Sequence, residues 1–180
     1  MNRRSALLAL PVVAVLLAGC GSDDGEASAD PTPTCVSAEP TAQPPSSVST
    51  DLAEKPVVAP GTAPAPKELQ YADLVEGDGD EARTGDQVTV KYFGAIYETG
   101  KEFDSSWSRG PDETFPFGIC REGVVHGFAV GPTGMKVGGR RQITIPAELG
   151  YGAQGSPPAI PPNATLVFVV DLVEVEPSGE

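Results

Sequence analysis

All eleven aromatic residues of this 180-residue chain fall between Tyr71 and Phe168. Aromatic side chains bring the largest apolar areas a core can use, so only this stretch can close a substantial one. A single domain of ordinary size, roughly 100–150 residues, with segments attached to it, is the organisation this implies.

The first 70 residues read differently. Arg3 and Arg4 precede an uncharged apolar run from Ala6 to Leu17, shorter than the ~20 residues a spanning helix needs. Followed by small residues, it has the form of a secretory signal peptide over residues 1–19. Leu17-Ala18-Gly19-Cys20 resembles the bacterial lipobox, which implies that Cys20 becomes the lipid-bearing first residue. Residues 20–66 contain nine prolines and no aromatic. Such a composition buries too little apolar surface to offset chain entropy, so it reads as a disordered tether with an end-to-end distance on the order of 40 Å. Val57 and Val58 are expected as a short edge segment against the domain, which is placed at residues 67–177.

The chain carries 25 acidic and 12 basic residues. Residues 1–19 hold only Arg3 and Arg4 among the charged residues, so their removal leaves ten basic residues and a charge of −15. That excess repels nucleic acid and anionic membrane surfaces; contact with a membrane is expected through the N-terminal lipid alone. The location implied is extracytoplasmic, anchored to the bacterial cell membrane. There Cys35 and Cys120 are a candidate disulfide. The alternative, Cys120 as a small core residue and Cys35 as a free thiol, is equally compatible with their spacing.

From Glu68 onward the pattern is that of strands and turns. Leu69–Val75 alternates, and Val88–Tyr97 is rich in β-branched and aromatic residues before a turn at Glu98–Lys101. Arg140–Ile145 and Ala164–Val173 supply further strands. One short helix is expected at Val125–Val130, ended by Gly131 and Pro132 because proline lacks the amide donor.

Several chemistries drop out. The chain has one histidine, His126, and isolated cysteines, so no metal-ligand spacing exists and no cofactor is expected. A serine hydrolase would have to recruit that same histidine, and no nucleophile-elbow pattern accompanies it. Lys136–Arg141 is basic and glycine-rich but lacks phosphate-loop spacing; it reads as a turn entering a strand.

What remains is a specific combination: Lys91-Tyr92-Phe93-Gly94, Phe103-Asp104-Ser105-Ser106, Gly150-Tyr151-Gly152-Ala153 and Ile160-Pro161-Pro162-Asn163-Ala164-Thr165-Leu166-Val167-Phe168. It resembles the FKBP-type peptidyl-prolyl cis-trans isomerases over roughly residues 70–175. The resemblance implies an α+β fold, a twisted antiparallel β-sheet wrapped around one short α-helix. It implies catalytic roles for Tyr92, Phe103, Asp104, Tyr151 and Phe168, and substrate contacts from Phe115, Val124, Val125, Phe128 and Ile160. The pocket floor in the best-known members is tryptophan, where this chain has Phe128. Ser156 and Ala159 replace a larger histidine and isoleucine on the proline loop, and Gly131-Pro132-Thr133-Gly134 departs from the usual helix end.

By that resemblance the activity is rotation about X-Pro bonds in secreted polypeptides, and the pocket also fits macrolides of the immunosuppressant class. A monomer is expected. The competing class is a non-catalytic partner-binding or holdase module using the same pocket. A solute-binding lipoprotein needs a larger two-lobed domain than this chain can form.

Overall fold

The computed structural model describes residues 38–40 and 48–179. The signal segment, Cys20 and Cys35 lie outside the described residues.

Seven strands make one sheet: β1 (Glu39–Pro40), β2 (Gln70–Val75), β3 (Gln87–Ile96), β4 (Glu102–Ser105), β5 (Phe115–Gly118), β6 (Arg140–Ile145) and β7 (Leu166–Glu176). Their order is β1-β2-β6-β7-β3-β4, with β5 pairing the opposite end of β3 from β4. All pairings are antiparallel except the two-residue contact of β1 with β2. The central pair, β3 and β7, is buried along most of its length, seven of ten residues in β3 and the first seven of eleven in β7, which fits its dense β-branched and aromatic composition. The sheet wraps around α1 (His126–Val130), the one α-helix among the described residues. Gly127 lets that helix lie close on β6, since a Cβ there would run into Ile145 Cγ2. The helix ends at Gly131, as the sequence led one to expect.

Alternation along β3 sends successive side chains to opposite faces. Tyr92 joins the main core with Phe128, Ile143, Ile160, Phe168 and Val170. Phe93 and Ala95 join Val167 and Val169 in a second apolar cluster. Both faces of the sheet are therefore covered.

The cover of the second face corrects the expected boundary at residue 67. Val48 and Val58 are buried in the second cluster. Gly61 donates its N–H to Tyr97 O at 2.8 Å, and Tyr97 Oη donates to Ala63 O at 3.2 Å. Arg140 is wholly buried and donates to the carbonyl oxygens of Ser49, Asp51 and Glu54 at 2.7, 2.9 and 3.1 Å. Val58 points into the sheet while Val57 is exposed, and neither belongs to a strand. Residues 48–63 thus form a strap. Composition indicated a tether because the strap gains its order from partners on the domain and has little apolar content of its own.

The positive pair Arg140 and Arg141 also does more than lead into a strand. Arg140 holds Asp171 in a two-point ion pair at 2.5 and 2.7 Å, beneath the strap. Arg141 pairs with Asp73, lies 3.9 Å from the Tyr71 ring centroid, and donates to Gly131 O and Thr133 O at 3.0 and 2.8 Å. These bonds fix the irregular Gly131–Gly134 turn behind Phe128, because carbonyls at a helix end have no intrahelical donor.

Candidate active site

The site is assembled where β3, β4 and β7 meet. Gly94 pairs with Phe168 of β7 on one side and with Asp104 of β4 on the other. The register of β3 and β4 slips between Gly94 and Ala95, so Phe103 is an extra residue in a β-bulge. A bulge re-aims side chains, which is how consecutive residues, Phe103 and Asp104, both reach the Tyr92 side of the sheet. Gly94 leaves room for them: a Cβ there would stand 2.7 Å from Phe103 Cζ and 3.0 Å from Phe168 Cε1.

Six rings then form one connected group. Phe103 meets Phe168 edge-on at 5.4 Å between centroids, and Phe168 lies 4.7 Å from Phe128. Tyr92 meets Phe115 and Phe128 edge-on, each at 5.7 Å. Phe117, which the sequence motifs did not single out, lies 4.9 Å from Phe128 and stacks on Phe115. Tyr92, Phe128, Ile160 and Phe168 are buried, and Phe103, Phe115, Val124 and Val125 pack against them half-buried. Trp107 does not join this group; it sits in the 3-10 turn after Asp104, with Lys91 Nζ 4.6 Å above its ring.

One edge of the group is polar. Tyr92 Oη donates to Asp104 Oδ2 at 2.5 Å. Arg109 donates from Nη1 to Asp104 Oδ1 and from Nη2 to Tyr92 Oη, both at 2.9 Å. The Ser105 amide also donates to Asp104 Oδ1, at 2.8 Å, while Ser105 itself caps the turn that follows by accepting from Trp107 N. Burial pushes the Tyr92 phenol up from its usual value, and the bond to Asp104 adds to this. Tyr151 is exposed on the loop opposite; its phenol is raised too, by burial and by the negative charge of Asp104. Val125 precedes α1 with an extended backbone, leaving its amide outside the helical ladder.

Arg109 is a residue of this polar edge that the sequence motifs did not name. It lies five residues beyond Asp104, and only the fold of the intervening turn brings it back. Ser105 and Ser106 tie the turn to β3: Ser105 Oγ donates to Tyr92 O at 3.1 Å, and Tyr92 N donates to Ser106 Oγ at 3.0 Å. Cys120 is disulfide-bonded; its expected partner Cys35 lies outside the described residues. Among the described residues no group of three or more His, Cys, Asp or Glu side chains is placed to hold a metal ion.

The site is thus an apolar ring cluster with one hydrogen-bonded carboxylate at its edge. Residues 79–173 match the family model described as FKBP-type peptidyl-prolyl cis-trans isomerase. A probable FK506-binding protein of Corynebacterium glutamicum is 48% identical over 120 residues, covering 67% of this chain and 98% of that protein. An FK506-binding protein of Streptomyces anulatus is 48% identical over 124 residues, covering 68% of this chain and 98% of its own. The crystal structure of FkpA from Escherichia coli superposes with a TM-score of 0.54 at 40% identity, over 62% of this chain and 50% of that one. The chain belongs to the FKBP-type peptidyl-prolyl cis-trans isomerase family.

Proposed function

We propose that this protein accelerates cis-trans exchange of X-Pro bonds in polypeptides outside the cytoplasm, held at the membrane by a lipid on Cys20. The observation that supports it best is the polar edge of Tyr92, Asp104 and Arg109 set on the ring cluster of Phe103, Phe128 and Phe168.

The barrier to rotation is ~18–20 kcal/mol because the amide nitrogen is conjugated with the carbonyl. For X-Pro the two isomers lie within about 1 kcal/mol, and exchange takes tens of seconds or longer. Twisting breaks the conjugation and shrinks the charge separation across the amide. An apolar, water-poor surface therefore favours the twisted form over the planar one, which is differential binding of the transition state. Tyr92, Phe103, Phe128 and Phe168 hold the pyrrolidine ring, with Phe115, Val124 and Ile160 walling it. The Val125 amide and the Tyr151 hydroxyl bind substrate carbonyls and fix one side of the rotating bond. Asp104 already accepts from Tyr92, Ser105 and Arg109, so its role is orientation and electrostatics, with no proton abstracted.

The test is refolding of a protein whose slow phase is limited by X-Pro exchange. The native chain should speed that phase, and a short proline peptide should compete. Failure of a folded native chain to change the slow phase would leave only a partner-binding module. Location is tested separately: Cys20→Ser should move the chain from the membrane fraction to the soluble extracytoplasmic one.

A further inference from the structure

The strap over the back of the sheet reaches the polar edge of the site through one side chain. Lys55 donates from Nζ to Glu102 Oε1 and Oε2 at 2.9 and 2.8 Å and to Ser108 Oγ at 3.0 Å. Ser108 Oγ in turn donates to Glu102 Oε1 at 2.7 Å. Both acceptors adjoin the site. Glu102 immediately precedes Phe103 and Asp104 on β4, and Ser108 immediately precedes Arg109.

The junction is anchored at each end. On the strap side, the buried Arg140 grips the carbonyl of Glu54, next to Lys55. On the site side, the turn Ser106–Ser108 is closed by Ser105 Oγ accepting from Trp107 N and by Arg109 N donating to Ser106 O. Lys55 also stands 5.7 Å from the Phe93 ring centroid, so its stem lies along the covered face. Burial alone would raise the Glu102 carboxyl, yet the bonds from Lys55 and Ser108 hold it below the usual range.

From this geometry we propose that Lys55 is a positioning residue for X-Pro isomerisation: by tying Glu102 to Ser108 it sets the bulged strand and the turn at the separation that lets Arg109 clamp Asp104 and Tyr92. The inference rests on the isomerase reading above. It gives the strap a role in activity besides covering the sheet. Lys55 never touches the substrate; it acts through Arg109.

The test is a double-mutant cycle in the whole chain with Lys55→Met, Arg109→Met and the pair, read as kcat/KM on a short X-Pro peptide. Lys55→Met should lower kcat/KM about five-fold, the scale of losing one partly exposed ion pair, with the chain still folded at the assay temperature. It should have no further effect in the Arg109→Met background, since residues acting in series are non-additive. Lys55→Arg should restore most of the loss. An equal loss in both backgrounds, or no loss in the first, would overturn the proposal. A native chain with no activity overturns the isomerase reading instead. The proposal is then decided by NMR of the Arg109 guanidinium, whose rotation should be slow in the native chain and fast in Lys55→Met; equal rotation in both would end it.

Discussion

The Tyr92 hydroxyl and the Asp104 carboxylate share a 2.5 Å hydrogen bond at the lip of the ring cluster, and Arg109 bonds to both. The phenol is held protonated by burial and by that bond. Asp104→Asn should lower the Tyr92 titration midpoint, because the charged acceptor and its repulsion of a phenolate are both removed. Ultraviolet titration of the native and variant chains reads the change; an unmoved midpoint would separate the two groups.

The same shift fixes a stability trend at high pH. The folded phenols of Tyr92 and Tyr151 titrate above the unfolded value of about 10. Between those values the unfolded chain releases protons that the folded chain keeps. Their contribution is therefore complete below pH about 10 and is lost as pH rises through the folded values. Denaturant midpoints should fall from pH about 10 upward, and less steeply in Tyr92→Phe.

Gly94→Ala should cost about 1–3 kcal/mol, the usual range for overpacking. The added methyl must displace Phe103 or Phe168, so isomerase activity should fall with the chain still folded. Urea unfolding and peptide exchange, measured on the same preparation, distinguish the two effects.

Arg140→Met leaves Asp171 as a buried carboxylate without its two-point partner and frees three strap carbonyls. Removing one partner of a buried pair costs about 3–5 kcal/mol. Urea unfolding should show it. A chain beginning at Lys67 should lose stability as well, since Phe93, Ala95, Val167 and Val169 would lose the cover of Val48 and Val58.

The domain was legible where residue pattern and local structure share one cause. The β-branched alternation of Val88–Tyr97 became β3, and the His126–Val130 helix stops where glycine and proline stop it. Half of the ring cluster was legible because Tyr92, Phe103 and Phe168 belong to the motifs that carry the family resemblance; Phe115 and Phe128 came only as what that resemblance implies, and Phe117 joins through packing the motifs do not encode. The strap was not, since its order is borrowed: carbonyls of Ser49, Asp51 and Glu54 find a guanidinium 86 to 91 residues away. Arg140, Arg141 and Arg109 look alike in sequence as charged residues beside turns. Only the fold distinguishes a buried clamp from a side chain in solvent.

The most direct measurement is the exchange rate of a short X-Pro peptide with the purified chain from Val48 onward, beside a Phe103→Ala, Asp104→Ala double variant that retains its fold. Acceleration by the native chain that largely vanishes in the variant is expected if the rings and the carboxylate form the catalytic surface. Equal acceleration by both would contradict that assignment, and no acceleration by either would contradict the activity itself.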